Sequence, residues 1–138
     1  MTIIDMHDMM YLNLFQRISQ VRTKYVFIYN NVIFFCVPRS VVSKAIGQNA
    51  QNVRKVSETF RRRVKVIASP NGIEDIKNFI QSIVEPVEFK DVQVNETEVI
   101  VTAGNPMNKA VLMGRNKRRL FEMHKIIKNF FGKDYRIL

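Results

Sequence analysis

The chain is short of the residues on which most small-domain chemistry depends. Of its 138 residues, one is cysteine and two are histidine. A lone Cys36 permits no internal disulfide, which fits a reducing, cytoplasmic compartment. Within the apolar run Val32–Val37 it reads as a small core residue. His7, Cys36 and His124 lie far apart and show no metal-ligand spacing, so no metal site is expected. No Gly-x-x-x-x-Gly-Lys-Ser/Thr stretch occurs, which removes the usual signature of nucleotide hydrolysis. Acids are scarce as well, 12 Asp/Glu against 22 Lys/Arg. Glu74-Asp75 sit where a helix starts and suit its dipole. Glu96 and Glu98 flank a strand turn. Neither pair has a partner that argues for acid–base catalysis, so no enzyme, no cofactor and no small-molecule substrate is expected. Long apolar runs are missing too. The longest, Val26–Val37, is 12 residues and is broken by Asn30-Asn31; it cannot span a bilayer. The start of the chain carries Asp5 and Asp8 and no basic cluster, so no signal peptide is expected. No helix joins a broad basic face to exposed large apolar residues, so no membrane partner is expected either.

What is present is apolar substance and positive charge. At 46% hydrophobic residues the chain can bury a core. A formal charge of +10 points to a polyanionic partner. That charge is uneven. Residues 1–70 carry 11 Lys/Arg and 3 Asp/Glu, a surplus of 8; residues 71–138 carry 11 and 9, a surplus of 2. In the second half the cations gather at 115–119 and the acids near 85–98.

Residues 5–22 read as a helix, with Tyr11, Leu14, Phe15, Ile18 and Val21 recurring at three- and four-residue spacing. Asp5 and Asp8 suit its first turn, Arg22 and Lys24 its end. Tyr25–Tyr29 and Val32–Val37 are strands, joined tightly by Asn30-Asn31, which tolerates φ > 0 twice. Pro38 ends the second strand. Ser40 caps a short helix over 41–46, and a longer helix runs from about Ala50 to Phe60. Arg61–Ala68 alternates as a strand, its Arg61-Arg62-Arg63 start a solvated cluster. Ser69-Pro70-Asn71-Gly72 is a turn and the expected boundary between a first domain, 1–70, and a second, 71–138. The order then recurs. Ile73–Val84 is a helix with Ile76, Phe79, Ile80 and Ile83 inward, closed by Pro86. Val87–Val94 and Glu98–Ala103 are strands, the first bulged near Asp91. Gly104-Asn105-Pro106 opens a helix to Met113. A last helix runs to Phe131, with Leu120, Met123, Ile127 and Phe130 buried and His124 packed on the same side. Gly132 stops it before a strand at 135–138. Phe34-Phe35 and Phe130-Phe131 are expected in the core. The fold class is α+β, with two αββααβ units, each a three-stranded sheet packed by helices.

One short stretch occurs twice, 67 residues apart: Ile46-Gly47-Gln48-Asn49-Ala50-Gln51-Asn52-Val53 and Met113-Gly114-Arg115-Asn116-Lys117-Arg118-Arg119-Leu120. Each lies between two apolar, helix-like segments. Glycine can end one helix with φ > 0, and asparagine two residues on can cap the next. A loop at a helix N-terminus offers backbone N–H groups to a phosphate.

An αββααβ unit with such a loop between adjacent helices resembles the type II KH domain, and the tandem resembles the archaeal NusA-like transcription factors. The resemblance covers nearly the whole chain. It implies that the loops clamp a single-stranded RNA backbone through Gly47, Gln48, Asn49 and Ala50, and through Gly114, Arg115, Asn116 and Lys117. Ile46 and Val53, then Met113 and Leu120, would line a groove for bases. Lys44, Arg54 and Lys55 would add positive field at the first loop, and Arg115, Lys117, Arg118 and Arg119 at the second. Two sites that share one continuous face and one strand would gain affinity together. A KH loop carries glycine at both ends, and here the fourth position is Ala50 or Lys117. Ala50 fits if its φ is helical; Lys117 either obstructs the backbone approach or meets the phosphate with its ammonium. The implied role is transcription termination or antitermination, with nascent RNA as ligand and RNA polymerase as a further partner. Two alternatives stay open: a ribosome-associated or RNA-processing factor, and a protein-interaction module whose altered loops have lost RNA.

Overall fold

The computed structural model of the chain describes residues 6–138. The expected helix start at Asp5 lies outside them. Along the sequence the chain divides into two compact units between Ser69 and Pro70. Together the described residues form six α-helices and two three-stranded sheets.

In the first unit, α1 (Met6–Ser19) precedes β1 (Tyr25–Tyr29), β2 (Val32–Val37), α2 (Val42–Ile46), α3 (Gln51–Phe60) and β3 (Arg63–Ala68). The helix α1 stops three residues short of the expected end. Ser19 Oγ donates to the Phe15 carbonyl at 2.7 Å and accepts from Val21 N at 3.2 Å, offering the backbone an alternative to another turn. Gln20 then takes φ 59, so Arg22 and Lys24 lie beyond the helix. Asn30 and Asn31 have φ 51 and 63, the pair of positive values that lets two residues join β1 to β2 antiparallel. β3 lies parallel to β2, with Ile33 opposite Val64 and Phe35 opposite Val66. That places β2 at the centre, and all six of its residues are buried, as a doubly flanked apolar strand requires. Cys36 is among them, and burial pushes its thiol well above the usual range. Ser40 caps nothing: a turn over Arg39–Val41 intervenes before α2. Phe15 stacks on Phe35 at 4.2 Å, and Tyr11 meets Phe60 edge-on at 4.7 Å. Leu12, Val21, Ile33, Val37, Ala45, Val56 and Val64 complete that core. Full burial of such a side chain is worth about 1.5–3 kcal/mol.

The second unit has α4 (Ile76–Val84), β4 (Asp91–Val94), β5 (Glu98–Thr102), α5 (Pro106–Met113), α6 (Arg118–Phe131) and β6 (Asp134–Ile137). Ile76, Phe79, Ile80 and Ile83 are buried, joined by Val84. β4 is shorter than its alternation suggests. The helix end turns through Val87 N to the Val84 carbonyl, and pairing with β5 starts from Lys90 N to the Thr102 carbonyl at 2.8 Å. The β4–β5 turn is built on Asn95, whose Oδ1 accepts from Thr97 N at 2.9 Å and Glu98 N at 2.8 Å. Asn105 caps α5 by accepting from Asn108 N at 2.8 Å, with Pro106 at the first helical position. Gly132 takes φ 70 and closes α6. β6 runs parallel to β5, so the sheet repeats the mixed order of the first.

The buried stripe of α6 is Met123, Ile126 and Ile127. Leu120, Phe130 and Phe131 are half-buried instead; Phe130 and Phe131 pack their rings on Phe79 at 4.9 and 6.0 Å. His124 is not packed inward. Its Nε2 donates to Asp134 Oδ1 at 3.2 Å at the surface. That bond first, and the charge of Lys128 second, hold the Asp134 carboxyl below the usual range.

Candidate nucleic-acid interface

In each unit a glycine separates a short helix from a longer one, and the backbone takes the same path twice. Gly47 has φ 83 and ψ 165, Gly114 φ 76 and ψ 170. This region is open essentially to glycine alone. A Cβ on Gly47 would stand 2.9 Å from Asn52 Cγ and 3.1 Å from Asn52 N; on Gly114, 2.7 Å from Arg119 Cγ and 3.0 Å from Arg119 N. Both the conformation and the close approach of the following helix therefore require glycine.

Two left-handed residues follow. Asn49 lies at φ 54, ψ 32 and Asn116 at φ 54, ψ 31. Ala50 lies at φ 58, ψ 28 and Lys117 at φ 59, ψ 24. This corrects two expectations. The asparagines do not cap α3 and α6; they sit one residue too early and in αL, which asparagine tolerates through its short polar side chain. Ala50 does not have helical φ. The fourth loop position is a true glycine position, and each side chain there costs roughly 1–2 kcal/mol of left-handed strain.

The loop amides are also less available than a plain helix start would make them. Ala50 N–H donates to the Gly47 carbonyl at 3.1 Å and Gln51 N–H to the Gln48 carbonyl. Lys117 N–H donates to the Gly114 carbonyl at 3.1 Å and Arg118 N–H to the Arg115 carbonyl. The groups that reach outward are side chains: Gln48 and Asn49 in the first loop, Arg115, Asn116 and Lys117 in the second, all exposed.

A second matched pair ties each loop down. Asn52 Nδ2 donates to the Lys44 carbonyl at 3.2 Å, and Arg119 guanidinium NH1 donates to the Val111 carbonyl at 3.2 Å. These positions are again 67 apart. Each bond joins the long helix to a carbonyl near the end of the short one, which its own helix leaves unpaired. Arg119 thus braces the loop as well as charging it. Composition and spacing could not reveal this pairing, because Asn52 and Arg119 share no side-chain type.

Around the loops, Ile46, Val53, Met113 and Leu120 are half-buried; Val53 packs against the first core. They flank the glycines with partly open apolar surface. Lys44, Arg54 and Lys55 are exposed beside the first loop, and Arg118 beside the second. Arg118 pairs with Glu122 at 3.9 Å. Arg61 and Arg63 are exposed, while Arg62 reaches the Tyr11 hydroxyl at 3.5 Å. One residue was not singled out from the sequence: Phe121, which is 64% exposed. It lies off the Leu120–Met123–Ile127 stripe and three residues after Arg118, a position that marks an aromatic on a basic face. With Arg115, Asn116, Arg118 and Glu122 it lines an open depression of about 490 Å³. Among the described residues no group of three or more His, Cys, Asp or Glu could hold a metal, and no helix is long and apolar enough to cross a membrane.

No protein-family model matches the chain. Two archaeal proteins are distantly similar to it, each named a probable transcription termination protein NusA. The one from Methanococcus vannielii is 25% identical over 118 residues, 83% of this chain; the one from Methanocaldococcus jannaschii is 27% identical over 124 residues, 88% of this chain. The matched part is 66% of each relative's length. Among solved structures, the crystal structure of APE1850 superposes with a TM-score of 0.69 over 97% of this chain and 99% of that one. At 16% identity this likeness is one of fold. By sequence, then, the chain is distantly similar over most of its length to archaeal proteins named for transcription termination.

Proposed function

We propose that the chain binds single-stranded RNA through two KH-type units, one loop per unit, and acts in transcription termination or antitermination with RNA polymerase as a further partner. The observation that carries the reading is the duplicated loop. The same glycine-only turn and the same pair of left-handed residues occur twice, at a conformational cost each time, and both are bordered by exposed cations and no acid inside the turn. Strain kept at two matched positions is a reason to look for use there. The distant similarity to proteins named for transcription termination supports the role. The net charge of +10 supplies the salt-dependent part of the affinity. Side-chain amides and cations meet the phosphates, and the half-open aliphatics beside each glycine meet the bases. No step of this reading is catalytic.

The test is a titration of a labelled RNA of about twelve nucleotides, four per loop with a spacer, against duplex DNA of the same length. Preference for the single strand that survives moderate salt is the expected result. Equal binding to both at every salt concentration would leave only a basic protein that attracts polyanions.

A further inference from the structure

We propose that the Phe121 ring is a stacking platform for one base of the strand whose backbone the Gly114 loop holds. The inference rests on the RNA reading above. A large aromatic ring left 64% exposed is unusual on a helix whose other face buries Met123, Ile126 and Ile127. Its surroundings decide what kind of molecule fits. Arg115 and Asn116, from the loop, and Arg118, one turn back on α6, line the same depression as the ring. Glu122 lies in it too, its side chain mostly buried and paired to Arg118 at 3.9 Å. The lining carries two guanidinium groups against one carboxylate, which favours a polyanion overall, while the Glu122 carboxylate disfavours a phosphate set directly against it. A neutral, flat, hydrogen-bonding group attached to a polyanion meets both conditions: the base lies on the ring, and the backbone follows the cations of the loop. Asn116 and Glu122 offer a base edge both donors and acceptors.

The first unit has no such platform. The matching positions are Arg54 and Lys55, both exposed cations. The first loop therefore attracts the strand by charge, and the second adds contact with a base.

The experiment uses the full chain and the twelve-nucleotide RNA, intact or with single abasic positions, followed by anisotropy at several salt concentrations. Phe121→Ala lowers affinity on the order of ten-fold and leaves the salt slope unchanged, because no phosphate contact is lost. Phe121→Trp keeps the affinity. One abasic position weakens wild type by the same factor and weakens Phe121→Ala no further, the non-additivity of a shared contact. If Phe121→Ala binds like wild type while Arg115→Asp/Asn116→Asp binds weakly, the platform is wrong and the RNA reading stands. A Phe121→Ala variant that flattens the salt slope also overturns the platform. If wild type shows no single-strand affinity, both readings fall together.

Discussion

At Gly47, Asn49 and Ala50 and at Gly114, Asn116 and Lys117 the backbone angles agree to within 7°, yet between residues 47–55 and 114–122 every side chain but the glycine and the asparagine differs. Gln48 answers to Arg115, Ala50 to Lys117, Asn52 to Arg119, Arg54 to Phe121 and Lys55 to Glu122. What is common to the two loops is what the turn needs: the glycine, the asparagine that accepts αL, a brace to the short helix, and a buried residue one turn on, Val56 or Met123. What differs points outward. The shared part fixes a shape and the divergent part sets what that shape attracts. On this account the two units are one device with different settings, a weaker electrostatic loop and a stronger loop with a base contact.

The largest effect that separates them is on RNA affinity. Arg115→Asp/Asn116→Asp replaces a cation and an amide by two acids, and should weaken binding on the order of 100-fold. Gln48→Asp/Asn49→Asp changes less charge and should cost about ten-fold. Anisotropy titrations at fixed salt measure both; equal losses would mean that the loops are equivalent. Next come the glycines. Gly47→Ala and Gly114→Ala force a Cβ into a region reserved for glycine, and each should cost about 2–3 kcal/mol of unfolding free energy. Gly114→Ala should be the worse, since its Cβ would stand 2.7 Å from Arg119 Cγ and 3.0 Å from Arg119 Cβ and N, atoms too near the backbone to swing clear, whereas a Cβ on Gly47 meets the end of the Asn52 side chain at 2.9 Å and Asn52 N at 3.1 Å. Denaturant unfolding of the two variants ranks them.

Smaller effects sharpen the comparison at the fourth loop position. Ala50→Gly and Lys117→Gly remove left-handed strain but add chain entropy to the unfolded state. The net gain should be about 0.5–1 kcal/mol in each. Their RNA binding should diverge. Ala50→Gly leaves the salt slope alone, whereas Lys117→Gly reduces it by about one if the ammonium meets a phosphate. An unchanged slope with tighter binding would show instead that the side chain stands in the way. The smallest effect lies away from the loops. Asp134 opens β6 and pairs with His124 and Lys128, whereas the residue that opens β3 in the first unit is the exposed Arg63. A carboxyl with a lowered folded pKa adds stability above its unfolded pKa and loses it as pH falls through the folded one. Asp134→Asn should therefore lower the melting temperature slightly near neutrality, with the difference vanishing in acid.

Much of this was legible in the residues. Asn30-Asn31, Gly104-Asn105-Pro106 and Gly132 each have one dominant conformational use, and each has it here. The apolar spacing of α4 placed its buried face. The loops were findable because glycine and asparagine recur at one offset. Their left-handed pair was not. Asparagine serves an N-cap and an αL residue equally well, and neither Ala50 nor Lys117 announces a positive φ, because the helix that follows imposes it. Arg22 and Lys24 could not mark the end of α1 once the Ser19 hydroxyl had turned the chain. The His124–Asp134 contact and the braces from Asn52 and Arg119 to backbone carbonyls join groups eight to ten residues apart, and only the packing of consecutive elements brings them together. Phe121 was missed because a stripe of core residues draws attention to what lies on it, and this ring lies beside it.

Recognition by the two loops requires that RNA touch the chain there. Amide-resolved NMR titration of the full chain with single-stranded RNA locates that contact directly. We expect the earliest and largest shifts at residues 114–122 of the second loop and the start of α6, followed by residues 47–54 of the first. Shifts confined to Arg61–Arg63, or spread evenly over the basic surface with both loops unmoved, would contradict it.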